Sequence, residues 1–200
     1  SCSNVQLSIG QKGWATLTAS QVGMASDNCG NVTLTVTPNY FSCTDVGVNT
    51  VVLTATDGSG NSSSCTSTVT VADNNTPALT CQDMTVNLDS SGIAIISPSD
   101  LITGANASCG LIDTSLSVSQ FGCNDLGINT VVVTVTGANG QTATCTATVT
   151  VEDNIAPSVT CQSANIYLDA NGQPPVLTIT DLGLISSDNC GVTGANYDIS

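Results

Sequence analysis

The sequence predicts an all-β chain of tandem immunoglobulin-like β-sandwich domains stapled by disulfides, and three observations carry that prediction. The first is a repeat. Asn49 to Pro77, NTVVLTATDGSGNSSSCTSTVTVADNNTP, returns eighty residues later as Asn129 to Pro157, NTVVVTVTGANGQTATCTATVTVEDNIAP. A period of that size is one small domain, so the chain is a string of modules. The second is alternation. Val51, Leu53 and Ala55 alternate with Thr50, Val52, Thr54 and Thr56, and Cys65, Ser67, Val69 and Val71 alternate with Thr66, Thr68 and Thr70. A period of two marks strands with one face buried and one wet. The third is composition. Threonine and valine abound, glutamate occurs once (Glu152) and aromatics are 3%, which suits strands and argues against helices.

Aligned on their cysteines, the residues form three modules: 1–76 with its start truncated, 77–156, and 157–200 as the first half of a third. Each opens with a short alternating strand, carried by Val5, Leu7 and Ile9, then by Met84, Val86 and Leu88, then by Ile166 and Leu168. A second strand is expected around Ala15–Leu17, Ala94–Ile96 and Val176–Ile179. The loop SDNCG at 26–30 returns at 187–191, with SCG at 108–110 in the middle module. A third strand carries Val32, Leu34 and Val36, or Ile112, Leu116 and Val118, and an aromatic (Phe41 or Phe121) stands beside the next cysteine. The turns CTDVGVNT (43–50) and CNDLGINT (123–130) lead into the closing hairpin. Its tips, DGSGN (57–61) and GANGQ (137–141), supply the positive-φ residues a hairpin needs. About seven short strands per module, with turn signals every eight to twelve residues, is the pattern of an immunoglobulin-like sandwich.

An ~80-residue module hides only about 60–65% of its unfolded surface and is marginal without staples. Ten cysteines provide them. The absence of histidine and of Cys-x-x-Cys pairs argues against zinc, and the count points to an oxidising compartment. The intervals 14, 22 and 16, from Cys29 through Cys43 and Cys65 to Cys81, recur from Cys109 through Cys123 and Cys145 to Cys161. Spacing alone permits three pairings per module. The hairpin holds Cys65 away from Cys43. The first and last strands of such a sandwich can run side by side in parallel, which brings Cys2 to Cys65 and Cys81 to Cys145. That leaves Cys29–Cys43 and Cys109–Cys123 as the remaining expected pairs. Cys161 and Cys190 are then expected to find partners beyond Ser200.

The string Cys…Asp-Asn-Cys-Gly…Phe-x-Cys…Asp-x-Gly-x-Asn-Thr-Val…Asp-Gly-x-Gly-Asn…Cys-Thr-x-Thr-Val-Thr-Val-x-Asp-Asn…Pro resembles the hyalin repeat. The likeness is to the tandem, cysteine-rich versions found in very large surface proteins of gliding and biofilm-forming bacteria. It runs over essentially the whole chain and is fullest at Asp27, Asn28, Cys29, Gly30, Phe41, Cys43, Asp57, Gly60, Asn61, Cys65 and Asp73. The middle module departs from it, with Ala107 and Ser108 in place of Asp-Asn and Gly137 in place of Asp57. The resemblance implies an extracellular immunoglobulin-like module used in adhesion and as a stalk.

One lysine and fifteen acidic residues give a net charge of −14. Nucleic acid and anionic membrane surfaces are thereby excluded as partners, and no apolar run is long enough to span a bilayer. Without histidine there is no Ser-His or Cys-His pair, and no enzymatic activity or organic cofactor is expected. The acidic joints ADNNTP (72–77) and EDNIAP (152–157) are the candidate sites. Asp73, Asn74, Asp153 and Asn154 offer oxygens to calcium, with a proline stiffening the exit, much as in the longer linkers of cadherins. Asp100 or Asp181 are candidates to complete the shell, and Asp27 and Asp188 to join Asp57 or its counterpart. The same residues favour turns through their own backbone hydrogen bonds, so both readings stand. The expected function is a structural segment, stalk or fibre, of a long extracellular repeat protein, touching neighbouring repeats or other copies. The alternative is an adhesive module recognising a glycan or protein through loops at one end. A self-assembling filament is a third option.

Overall fold

The structure, a computed structural model, describes residues 1–28, 30–163, 165–176, 178 and 183–194. It is all-β. The first copy of the repeat forms β1 (Val5–Ser8), β2 (Trp14–Thr16), the single helical turn α1 (Ala19–Val22), β3 (Thr33–Thr37), β4 (Tyr40–Ser42), β5 (Gly47–Thr56) and β6 (Ser62–Ala72). One layer has the strand order β1-β6-β5-β3 and the other pairs β2 with β4. The hairpin β5–β6 runs in register from Gly47↔Val71 to Thr56↔Ser62. Strand β1 lies parallel to β6, from Val5↔Val69 to Ser8↔Ala72. A hairpin flanked by a parallel first strand, faced by a second short sheet, is the immunoglobulin-like arrangement.

The alternation read along the hairpin is the alternation that is buried. Val51, Leu53, Val69 and Val71 point inward with Leu7, Ile9, Leu17, Val22, Val36 and Phe41, all at most 9% exposed. Each such side chain contributes about 1.5–3 kcal/mol by leaving water. Aliphatic residues do most of this work because Phe41 is the one aromatic in that core.

The second copy repeats the plan with β7 (Ala78–Cys81), β8 (Met84–Asn87), β9 (Ile93–Ile95), the turn α2 (Pro98–Leu101), β10 (Ile102–Asn106), β11 (Leu111–Leu116), β12 (Gln120–Gly122), β13 (Gly127–Gly137) and β14 (Thr142–Glu152). Its sheets have the orders β11-β13-β14-β8 and β12-β9, with β10 pairing β7 in addition. Strand β8 again lies parallel to the last strand, Val149↔Met84 to Glu152↔Asn87. After it, β15 (Ser158–Thr160) pairs antiparallel with β16 (Ile185–Ser187). The expected strand around Val176–Ile179 falls partly outside the described residues. Strand β11 differs from expectation: Ile112 is 68% exposed, and Leu111 and Leu116 are the half-buried residues at its ends.

The chain divides into two compact units. One comprises Ser1–Cys81, Ile102–Ser115 and Val132–Cys145, and the other Gln82–Leu101, Leu116–Val131 and Thr146–Ser200. The first therefore holds the whole β1–β6 sandwich together with the loop through Cys109 and the hairpin tip at 137–141.

Candidate functional site

Four disulfides are present among the described residues. Cys2, ahead of β1, and Cys81, at the end of β7, are tied to the last strand of their own copy by Cys2–Cys65 and Cys81–Cys145. The other two correct the pairing read from the sequence. Cys43 is bonded to Cys109 and Cys123 to Cys190, with Cα separations of 5.4 and 5.3 Å, in place of Cys29–Cys43 and Cys109–Cys123. The reason lies in strand register. Thr33 faces Thr56 and Thr37 faces Val52, so the loop leading into β3 lies at the far end of β5, whereas Cys43 precedes its near end. Ten residues of strand separate those ends by about 30 Å, and a disulfide needs Cα atoms within about 7 Å. Cys29 itself lies outside the described residues. Cys190 finds its partner in Cys123 rather than beyond Ser200, and Cys161 is a free, exposed thiol.

Each corrected bridge crosses from one copy of the repeat to the next, and polar contacts surround it. In the first unit, Cys43 opens a tight turn (Cys43–Asp45) in which Ser42 N and Oγ donate to Asp45 Oδ2 at 2.8 and 2.9 Å. Those bonds hold the Asp45 carboxyl below the usual range, the backbone one most strongly. Asn49 Nδ2 donates to the carbonyls of Asp45 and Gly47, so the recurring Asp-x-Gly-x-Asn is a turn that fixes the cysteine before it. Cys109 stands in a turn in which Gly110 N donates to Ala107 O, and Ala138 N donates to Gly110 O.

Asp73 is the hub of this joint. Ser108 Oγ lies 2.8 and 2.7 Å from its two carboxylate oxygens, and Asn75 N and Nδ2 donate to Oδ1 at 3.1 and 2.9 Å. Burial pushes the Asp73 carboxyl up, but the hydrogen bonds from Ser108 and Asn75 outweigh it and leave the group below its ordinary value. Asn139, in the hairpin tip of the second copy, donates to the carbonyls of Asn75 and Asp73, and Asn75 donates onward to Ile9 O. Gly13 completes the fit. Its φ is +80°, and a Cβ there would stand 2.5 Å from Ser108 O and 3.3 Å from Cys43 Sγ.

The second unit repeats the construction. Cys123 opens the turn Cys123–Asp125, in which Gly122 N donates to Asp125 Oδ2 and Asn129 Nδ2 donates to Asp125 O. Asn189, at the place of Ser108, donates to Asp153 Oδ1 at 3.0 Å and to Asp89 O at 3.2 Å. Gly92 takes the part of Gly13: its φ is +72° and a Cβ would stand 2.7 Å from Asn189 O. Asn154 donates to Asn87 Oδ1 and Glu152 Oε2, and Ile155 N to Asp153 Oδ1.

The structure thus places Asp73 and Asp153 at joints, as hydrogen-bond acceptors. Asn74 is exposed. Asp57 accepts from Ser59 N, Asn61 N and Asn61 Nδ2 within its own turn, and the Asn61 bonds draw its carboxyl down. Asp27 lines the same concavity as Asp57 and Asn61, about 560 Å³ in volume. Asp188 Oδ2 accepts from Cys190 N, while Asp188 Oδ1 and Asn189 Oδ1 are buried without a partner. Asp100 caps its own helical turn through Ser97 N, and Asp181 lies outside the described residues. Among the described residues no three or more acidic, cysteine or histidine groups come together as a metal site. Sequence reasoning missed Ser108, Asn75, Asn139 and Gly13. The position before each loop cysteine was the available signal.

No family model and no curated protein matches the sequence. Among solved structures, the chain is similar to the protocadherin GammaB4 extracellular domain, at 16% identity and a TM-score of 0.34 over 82% of this chain and 34% of that one. It is similar to human mucin-like protocadherin EC1-2, at 16% identity and a TM-score of 0.36 over 75% and 95%. It is also similar to titin domains z1z2 in complex with telethonin, at 16% identity and a TM-score of 0.32 over 77% and 94%. The chain spans about a third of the protocadherin GammaB4 chain. Likenesses this loose assign no residue a role. Among the described residues no helix is long and apolar enough to cross a membrane.

Proposed function

We propose that the chain is a structural segment of a long extracellular repeat protein, a stalk or fibre of hyalin-repeat-like modules 1–76, 77–156 and 157–200 that works mechanically rather than catalytically. One observation carries this reading: the copy-to-copy disulfide Cys43–Cys109 recurs one repeat later as Cys123–Cys190. A bond of that kind, braced by Asp73–Ser108 and by Asp153–Asn189, serves to tie successive copies of the repeat together. Disulfides persist in oxidising surroundings, which fits a secreted or cell-surface location. The partners are neighbouring repeats of the same chain or further copies in a fibre.

In-frame deletion of residues 77–156 from the parent protein tests it, because removing one repeat leaves the cysteine pattern in step. The surface fibre is expected to shorten by one module while attachment persists. Loss of attachment with an unchanged fibre would instead favour the adhesive module that recognises a glycan or protein. Calcium enters this reading at the Asp27/Asp57 concavity, whose carboxylate and amide oxygens suit a hard cation at about millimolar affinity. The joints hold without it, because donors from the next copy, Ser108 and Asn189, already reach Asp73 and Asp153, whereas the donors to Asp57 come from its own turn.

A further inference from the structure

We infer that the four bridges form a braided covalent track, in which one within-copy bridge and one copy-to-copy bridge stand in for each other when the chain is pulled. The purpose of such a track rests on the fibre reading; its existence rests on connectivity alone. The backbone path from Cys2 to Cys190 takes in nearly the whole chain. A much shorter covalent route crosses Cys2–Cys65, returns along the hairpin to Cys43, crosses to Cys109, continues to Cys123, and crosses to Cys190. The backbone on that route comes to about 125 Å when extended, against about 650 Å for the unbridged chain.

A second route is almost as short. It leaves Cys65 forward to Cys81, crosses to Cys145, and returns to Cys123. The two routes share their end bridges and differ in the middle, where one uses Cys43–Cys109 and the other Cys81–Cys145. Losing Cys81–Cys145 alone leaves the shorter route untouched. Losing Cys43–Cys109 alone shifts tension to the second route and adds about 7 Å. Losing both sends tension along the backbone from Cys65 through Cys81 and Cys109 to Cys123, which adds about 75 Å. Bridges confined within each module would give no such reserve. With Cys29–Cys43 and Cys109–Cys123 as the other pairs, the middle of the shortest route would depend on Cys81–Cys145 alone, and its loss would add about 175 Å.

Single-molecule pulling of the oxidised chain tests this, with handles ligated outside Cys2 and Cys190 and free thiols alkylated. The variants C43A/C109A and C81A/C145A are each expected within about 10 Å of the wild-type contour length, and the quadruple variant about 75 Å beyond it. Either double variant lengthening by tens of ångströms, or a quadruple variant no longer than the doubles, would overturn the inference. Should a variant fail to form its remaining bonds, wild-type protein is opened by limited reduction, alkylated and sorted by non-reducing peptide mapping. Molecules opened at Cys81–Cys145 alone must keep the wild-type length, and a longer contour refutes the track. These lengths are independent of what the segment does on a cell, so the repeat-deletion experiment and this one fail separately.

Discussion

Replacing Asp73 by alanine removes the hub of the first joint while leaving its disulfide in place. The carboxylate accepts from Ser108 Oγ, Asn75 N and Asn75 Nδ2. Hydrogen bonds to a charged group are worth about 1.5–3 kcal/mol each when buried. Asp73 is only half-buried, so solvent screening reduces the sum, and we expect a loss of about 2 kcal/mol. With a urea slope of about 2 kcal/mol per molar, the midpoint should fall by about 1 M. Trp14, the sole tryptophan, lies in the same unit and reports the transition by fluorescence. Asn74→Ala, at an exposed position next door, is the control and should leave the midpoint in place. An unchanged midpoint in Asp73→Ala, or an equal loss in Asn74→Ala, would refute the hub. The same experiment has a pH arm. Because the folded carboxyl sits below its unfolded value of about 3.9, its contribution is fully present above that pH and is lost as pH falls through the folded value. The stability gap between wild type and Asp73→Asn should therefore be level from pH 8 to 5 and narrow below pH 4.

Gly13→Ala places a methyl group 2.5 Å from Ser108 O on a backbone at φ +80°, a conformation that costs about 1–3 kcal/mol without glycine. Thiol titration of the folded variant should show Cys43 and Cys109 incompletely oxidised. Phe41→Ala empties the centre of the first core, where the ring is 2% exposed, and should cost about 3–5 kcal/mol in the same urea assay. Chelation by EDTA should leave the non-reducing peptide map and the melt of the joints unchanged. Calcium at millimolar concentration should shift the amide resonances of Asp27 and Asp57 while leaving those of Asp73 in place.

The architecture was legible because period-two alternation is written twice, eighty residues apart, and Val51, Leu53, Val69 and Val71 are buried as that pattern requires. The parallel approach of first and last strands placed Cys2 and Cys81 correctly. The copy-to-copy bridges were not legible for a definite reason. In a regular repeat, Cys43 lies between one loop cysteine, Cys29, and the next, Cys109, and spacing does not say which loop lies at its end of the sandwich. That is decided by which way β5 runs between the two, a property of three dimensions. The acidic joints were singled out for their oxygens. Yet Asp73 finds its donors in Ser108 and Asn75, and Ser108 lies 35 residues further along the sequence. The Asp-x-Gly-x-Asn and Asp57–Asn61 segments make the hydrogen bonds that turn chemistry predicts.

The reach of Cys43 also sets an order of events at birth. On a growing chain, Cys65 emerges soon after Cys43 and can close on Cys2, but Cys109 lies 66 residues beyond Cys43. At about 5–20 residues per second, Cys43 itself waits roughly 3–13 s with an unmatched thiol before the loop of the next copy exists. The Cys43 thiol thus stays reactive until the loop of the next copy of the repeat is made.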